Sequence, residues 1–318
     1  MPYALRRPRL YYERHGAGEP LLLITGFTIS AAVFDPVLAL YEKRFECLTY
    51  DNRGSGRSDS PLRLTSMAEL AADAARLLDA LGVASAHVYG VSMGGMIAQE
   101  LAIRFPDRVR GLILGGTTAG GPRAVRPALR ELAVLAGGTV GALRQPGRPW
   151  MAAALFSPVF RREHPEEVRA LLTHFTRHRA RPQGYASHWW ATVYHDTTSR
   201  LGRIQAPTLV MHGEHDAMSP LGNGRLLADR IPDAELVVVP DAGHAYALER
   251  SEESFSLLAD WLDRRGPISA GQPRTGLGPR LEPFTRPLGL PVGALRTGRS
   301  LVGLAGDRAR RRTDPRGD

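Results

Sequence analysis

The stretch Ala86-His87-Val88-Tyr89-Gly90-Val91-Ser92-Met93-Gly94-Gly95 decides the fold. Residues 86–89 read as a strand, and 95–104 repeat apolar residues at helical spacing. The string G-x-S-x-G therefore stands between a strand and a helix, the context in which it carries chemistry. A serine there sits on a sharp turn that only small neighbours allow. Gly90 and Gly94 supply them, and Gly95 permits close packing of the helix. The turn lifts the hydroxyl off the sheet toward the helix N-terminus, where the Met93 N–H faces any developing oxyanion. Ser92 is the candidate nucleophile.

A serine hydroxyl is nearly inert at neutral pH and needs a base, which in turn needs an orienting acid. Pro207-Thr208-Leu209-Val210-Met211 reads as a strand ending in His212-Gly213-Glu214-His215-Asp216. Glu235-Leu236-Val237-Val238-Val239 reads as another, ending in Pro240-Asp241-Ala242-Gly243-His244. Catalytic groups belong in loops at the carboxyl ends of parallel strands. Ser92, Asp216 and His244 all fall there, in that order. The other acid position, after strand 109–114, reads Gly115-Gly116-Thr117-Thr118 and has no carboxylate. Asp216 is the expected acid and His244 the expected base.

Outward from this centre the pattern alternates. Tyr11–Arg14 and Pro20–Thr25 read as strands joined by Gly16-Ala17-Gly18, the second apolar on both faces as a buried parallel strand is. A helical pattern over 30–43 and a strand over 45–50 follow. Then comes the Gly-rich loop Asp51-Asn52-Arg53-Gly54-Ser55-Gly56-Arg57-Ser58. Thr65 or Ser66 caps a helix over 67–80, which Gly82 stops. Further helices are predicted near 219–230 and 252–264. Such alternation implies parallel βαβ units and a sheet covered on both faces.

Residues 119–205 interrupt it. They read as short helices near 126–136, 149–156, 165–180 and 183–195, a helical insertion. From Pro267 the chain holds 16 Gly and Pro in 52 residues and ends in Arg308-Ala309-Arg310-Arg311-Arg312. That apolar density is too low to offset ordering entropy, so a basic, mostly disordered tail is expected, with 288–304 as a short docking segment. The expected organisation is a core of 1–118 and 206–266, an insertion of 119–205 and a tail of 267–318.

Composition narrows the classes. The 318 residues are 43% hydrophobic and 23% charged, enough for a large core plus an insertion. No run approaches the ~20 apolar residues that span a bilayer. Residues 1–30 lack the apolar stretch of a secretory signal, so a cytoplasmic location is expected. Cys47 stands alone, which excludes an internal disulfide and a Cys-based zinc site; in its apolar strand it is expected to be an inert core thiol. The net charge of +9 is uneven: 119–205 carries +8 and the tail +6, against −5 for the two core segments together. Nearly all the basic residues are Arg, as coding bias produces, and no binding motif accompanies them. No specific nucleic-acid partner is expected. His212, His215 and Asp216 have a spacing a metal could use, but no second ligand cluster joins them, so no metal is expected. His174, His178, His188 and His195 read as residues of amphipathic helix faces or of solvent.

Over about residues 10–265 the chain resembles the α/β-hydrolase fold superfamily. The likeness rests on Gly90–Met96, on Gly213-Glu214-His215-Asp216 and Gly243-His244, on Thr25-Gly26-Phe27, and on the loop Asp51–Ser58. It implies a mostly parallel central sheet flanked by helices, with a helical lid inserted between the sixth and seventh strands. It also implies a second oxyanion donor, the Phe27 N–H beside that of Met93, a structural role for the 51–58 loop, and no cofactor. Thr25 stands where many relatives carry His. Within the family the motifs look most like the 3-oxoadipate enol-lactonase and small-ester esterase branch, with cofactor-free haloperoxidases close behind.

The implied chemistry is two-step acyl transfer on small carboxylic esters or lactones by a monomer or weak homo-oligomer. Three alternatives stay open: perhydrolysis, with peroxide intercepting the acyl-enzyme; C–C bond hydrolysis of diketones; and a ligand-binding pseudo-hydrolase. The insertion holds Trp150, Trp189 and Trp190, with Phe156, Phe160, Phe175, Tyr185 and Tyr194. These form either the insertion's own core or an apolar pocket over Ser92, and the three tryptophans are the candidate pocket residues. The insertion's positive charge would favour a substrate that carries a carboxylate.

Overall fold

The computed structural model describes residues 3–5, 7–60, 62–129, 149–178 and 180–270. Eight strands form one sheet: β1 (Tyr3–Ala4), β2 (Leu10–His15), β3 (Glu19–Ile24), β4 (Phe45–Tyr50), β5 (Ala86–Val91), β6 (Val109–Gly115), β7 (Thr208–Gly213) and β8 (Ala234–Val239). Their order is β1-β2-β4-β3-β5-β6-β7-β8. β1 and β2 run antiparallel at one edge; every pair from β4 to β8 is parallel. β2 and β3, consecutive in the chain, are not neighbours, because β4 lies between them.

Register explains the continuous apolar runs. Leu48, Leu22, Val88, Leu112 and Thr208 stand side by side across five strands. Leu22 and Ile24 point to the face covered by α2 (Met67–Ala80) and α3 (Met93–Arg104). Leu21 and Leu23 point to the opposite face, where α1 (Asp35–Tyr41) and the last helix pack. Both faces are dry, so both parities must be apolar. Each such leucine contributes roughly 1.5–3 kcal/mol of burial. Cys47 lies fully inside, and burial, with the Glu42 charge, pushes its thiol pKa up to about 12.

α2 begins as the caps predict, at Ser66 rather than the buried Thr65. The Ser66 hydroxyl accepts from the Glu69 N–H, and the Glu69 carboxylate accepts from the Ser66 N–H. Such a cap is worth about 1 kcal/mol.

Between β6 and β7 the chain leaves the sheet and builds α4 (Pro149–Leu155), α5 (Pro158–Glu163), α6 (Pro165–Thr176) and α7 (Pro182–Val193). Each opens on a proline, whose missing N–H suits a first turn and prevents one long helix. The helix expected near 126–136 lies mostly outside the described residues, and the one expected over 165–180 stops at Thr176. After β7 come α8 (Gly222–Arg230), and after β8 α9 (Tyr246–Glu249) and α10 (Ser251–Arg265). Of the expected tail, 271–318 lies outside the described residues. Among the described residues no helix is long and apolar enough to cross a membrane.

Candidate active site

Because β3 to β8 are parallel, their carboxyl ends share one edge of the sheet, and the loops that carry Phe27, Ser92, Asp216 and His244 all leave from it. Ser92 caps α3 with φ 57° and ψ −122°, a left-handed conformation that costs a non-glycine residue of order 1–3 kcal/mol. The turn is stitched down to hold it. The Ser92 N–H donates to Gly115 O at 2.8 Å, and the Thr117 hydroxyl donates to Ser92 O at 2.7 Å. A Cβ at Gly94 would stand 2.1 Å from Ile24 O, and one at Gly90 2.2 Å from Gly94 O, so the glycines are required by close backbone approach.

Asp216 is buried at the exit of β7. Its Oδ1 accepts from the N–H groups of Met218 at 2.9 Å and Ser219 at 2.7 Å. His244, after β8, brings Nδ1 to 2.9 and 3.0 Å from the two carboxylate oxygens. An ionised carboxylate only accepts, so Nδ1 carries the proton and Nε2 presents its lone pair. Burial opposes the imidazolium, but the charge and hydrogen bond of Asp216, with Glu249 adding, outweigh it and raise the His244 pKa. Ser92 and His244 line the same cavity. The hydrogen bonds among the described residues do not include one between them; in enzymes such bonds commonly tighten only with substrate bound.

That cavity encloses about 240 Å³. Tyr41, Tyr89 and Tyr246 form one wall, with the Tyr89 and Tyr246 hydroxyls 2.7 Å apart and all three phenol pKa values raised by burial. Met151, Phe175 and Tyr185 enter from the insertion, Val33 and Phe34 from the 3-10 turn just before α1, and Val37 from α1 itself. The expected tryptophans do not line it among the described residues. Trp189 packs edge-on against Phe27 at 6.4 Å; Trp190 is 42% exposed and lies against Tyr194. Adjacent residues on a helix point about 100° apart, and here Trp189 turns toward the Phe27 loop while Trp190 turns toward solvent. Trp150 sits in the first turn of α4, and its side chain is outside the described residues. Among the described residues the cavity lining holds no Arg or Lys. Arg162, Arg169 and Arg177 instead pair with Glu163, Glu166 and Asp35.

The loop after β3 completes the site. Thr25 Oγ1 donates to Ile29 O and accepts from Asn52 Nδ2, bracing the turn that presents Phe27. A Cβ at Gly26 would stand 3.3 Å from the Ser92 Cβ, so this loop crosses directly beside the serine. The 51–58 loop is tied down by Asp51, which accepts from the Ala31 and Arg57 N–H groups, and by a buried two-point pair between Arg53 and Asp73.

Two residues were missed from sequence. Glu249 accepts from the N–H groups of Gly243 and of Ser157, tying the histidine loop to the insertion; burial raises its pKa against these bonds. His188 on α7, expected on an amphipathic face or in solvent, is fully buried against the loops after β3 and β4. Neither has a sequence signal, since their partners lie far along the chain. His212 is fully buried, with its Nε2 2.5 Å from Ser219 O and 3.5 Å from Asp216 Oδ2. His215 turns outward beside Asp241 and Glu214, three exposed groups of a kind that often cluster in solvent without an ion.

A family model described as alpha/beta hydrolase fold matches residues 19–251. The chain belongs to the α/β-hydrolase fold family. This α/β-hydrolase is 34% identical over 254 residues to an Azorhizobium caulinodans protein provisionally named a carbamate hydrolase, RutD, covering 78% of this chain and 92% of that one. It is 32% identical over 262 residues to the pimeloyl-[acyl-carrier protein] methyl ester esterase of Chromobacterium violaceum, covering 80% and 98%. Among solved structures, the enol-lactonase of Burkholderia xenovorans LB400 superposes with a TM-score of 0.70 at 27% identity, covering 82% of this chain and all of that one.

Proposed function

We propose that this α/β-hydrolase cleaves small carboxylic esters or lactones with neutral, apolar acyl groups through an acyl-enzyme on Ser92. One observation carries the reading: a serine on a strained turn and an imidazole bound to a buried carboxylate line one apolar cavity. The relatives named for ester and lactone cleavage support the same bond class.

His244 accepts the Ser92 proton on Nε2 as the serine oxygen attacks the carbonyl, and Asp216 holds the ring and stabilises its cation. The N–H groups of Phe27 and Met93 receive the tetrahedral oxyanion, each worth about 3–4 kcal/mol. His244 then protonates the departing alkoxide and later activates water against the acyl-enzyme. The helices of 119–205 act as a lid that supplies the apolar acyl wall. Among the described residues that wall offers a carboxylate on the acyl group no cationic partner, which would cost several kcal/mol.

The test is steady-state kinetics of the full chain on p-nitrophenyl esters of increasing acyl length and on simple lactones. Ser92→Ala should leave KM within a few-fold and lower kcat by about 10⁶. A Ser92→Ala protein that hydrolyses its best substrate at a similar rate would refute the reading.

A further inference from the structure

His188, on α7 of the insertion, is a buried polar side chain that meets the loops after β3 and β4. It is fully buried, and each ring nitrogen has one partner. The Thr28 N–H lies 3.2 Å from Nδ1, and Arg53 O lies 2.7 Å from Nε2. An amide N–H can only donate and a carbonyl can only accept. The partners therefore dictate the neutral ring with its proton on Nε2; neither the other tautomer nor the imidazolium satisfies both. Burial pulls the pKa down to about 4 against the bond to Arg53 O.

The bond falls on a strained place. Thr28 has φ 59°, and it follows Phe27, whose N–H is the proposed second oxyanion donor. Fixing the Phe27–Thr28 peptide plane limits how far the preceding N–H can swing. The same face of α7 holds the Phe27 ring: Tyr185 meets it edge-on at 4.8 Å, and Trp189 at 6.4 Å. Positions 185, 188 and 189 are one helical stripe. The helix comes close enough because Gly184 meets Gly54: a Cβ at Gly184 would stand 1.9 Å from Gly54 O.

We infer that His188 is a positioning residue for the oxyanion loop, holding the Phe27–Thr28 turn in register with Ser92 through the Thr28 N–H and tying that turn to the seated insertion. The inference rests on the hydrolase reading above. It makes the insertion part of the rate-determining geometry as well as a wall for the acyl group, because lifting α7 would release the oxyanion loop.

The experiment compares wild type, His188→Phe and His188→Gln as full-length protein. Stoichiometric labelling of wild-type Ser92 by a fluorophosphonate comes first; its failure sinks the hydrolase reading itself, before His188 is tested. Phe fills the volume without either bond, whereas Gln offers an oxygen to Thr28 and an N–H to Arg53 O. His188→Phe should lower kcat by about 10–100-fold with KM within threefold, a partial loss of one oxyanion donor. Inhibition by a trifluoromethyl ketone, which mimics the tetrahedral oxyanion, should weaken by the same factor as kcat/KM. His188→Gln should recover most of both. A folded His188→Phe protein with kcat within twofold of wild type, or a loss confined to KM, overturns the inference. Should His188→Phe not fold, the nitrogen NMR signals of His188 in wild type decide. One neutral tautomer with its proton on Nε2, persisting below pH 6, supports the assignment; a proton on Nδ1, or titration near 6.5, overturns it.

Discussion

The strand-end loops and the helical insertion face each other across one cavity and are built from different materials. The loops after β3, β5, β7 and β8 work through backbone: Ser92 is held by Gly115 O and Thr117, and Asp216 by two N–H groups. Close backbone approaches at Gly90 and Gly94 leave almost no choice of residue. The insertion contributes Met151, Phe175 and Tyr185, side chains whose requirement is size and apolarity. On the reading proposed above, the strand-end wall carries the reacting groups and the insertion sets the choice of acyl group, while His188 ties the insertion to the oxyanion loop and so to the rate.

The comparison breaks most sharply at Asp216. Asp216→Asn keeps the shape but lets His244 adopt the wrong tautomer, and kcat should fall about 10⁴-fold with KM little changed. A loss of substrate affinity instead would mean that the loop wall also selects.

The insertion's own buried histidines should matter for stability. His188 and His195 are both pulled by burial to a pKa of about 4, from 6.5 in the unfolded chain. A group depressed in the fold contributes stability above its unfolded pKa. As the pH falls from about 6.5 toward 4 the unfolded chain takes up protons that the fold refuses, and each histidine forfeits about 3 kcal/mol. Urea denaturation across that window should show the decline, and His195→Leu should reduce it by about 3 kcal/mol. Both His195 nitrogens are buried without a hydrogen bond among the described residues, so Leu should also lose nothing at neutral pH.

Smaller effects sharpen the division. Tyr185→Ala should shift the preferred acyl length upward, changing the ratio of kcat/KM between a short and a longer ester by about 10–100-fold. Equal loss on all esters would make Tyr185 a support for Phe27 alone. Trp190→Ala, on the solvent side of α7, should leave kcat/KM within twofold; a larger change would return that residue to the substrate path.

The division also explains what could be read before the fold was known. The turn 90–95, the cap of α2, the strands β3 to β8 and the positions of Asp216 and His244 are legible, because each depends on neighbours in sequence or on a strand end. β1 has two residues and α9 four, too few for any period to register. His188 was misread because its partners Thr28 and Arg53 lie 160 and 135 residues away, and nothing local marks a histidine for burial. The tryptophans misled for a related reason: aromatic content predicts that a helix packs, but the docking of Gly184 on Gly54 sets which face turns inward. Phe175 and Tyr185 stood among the insertion's aromatics without any feature to separate them from Trp189 and Trp190.

The central claim is that the imidazole of residue 244, held by the carboxylate of residue 216, draws the proton from the hydroxyl of residue 92. The most direct measurement is the rate of fluorophosphonate labelling as a function of pH, with the modified residue mapped by mass spectrometry. Because the His244 pKa is raised, labelling should occur at Ser92 alone and fall tenfold per pH unit below a midpoint above 6.5. Labelling at another residue, or a Ser92 rate that does not vary between pH 5 and 8, would contradict the account.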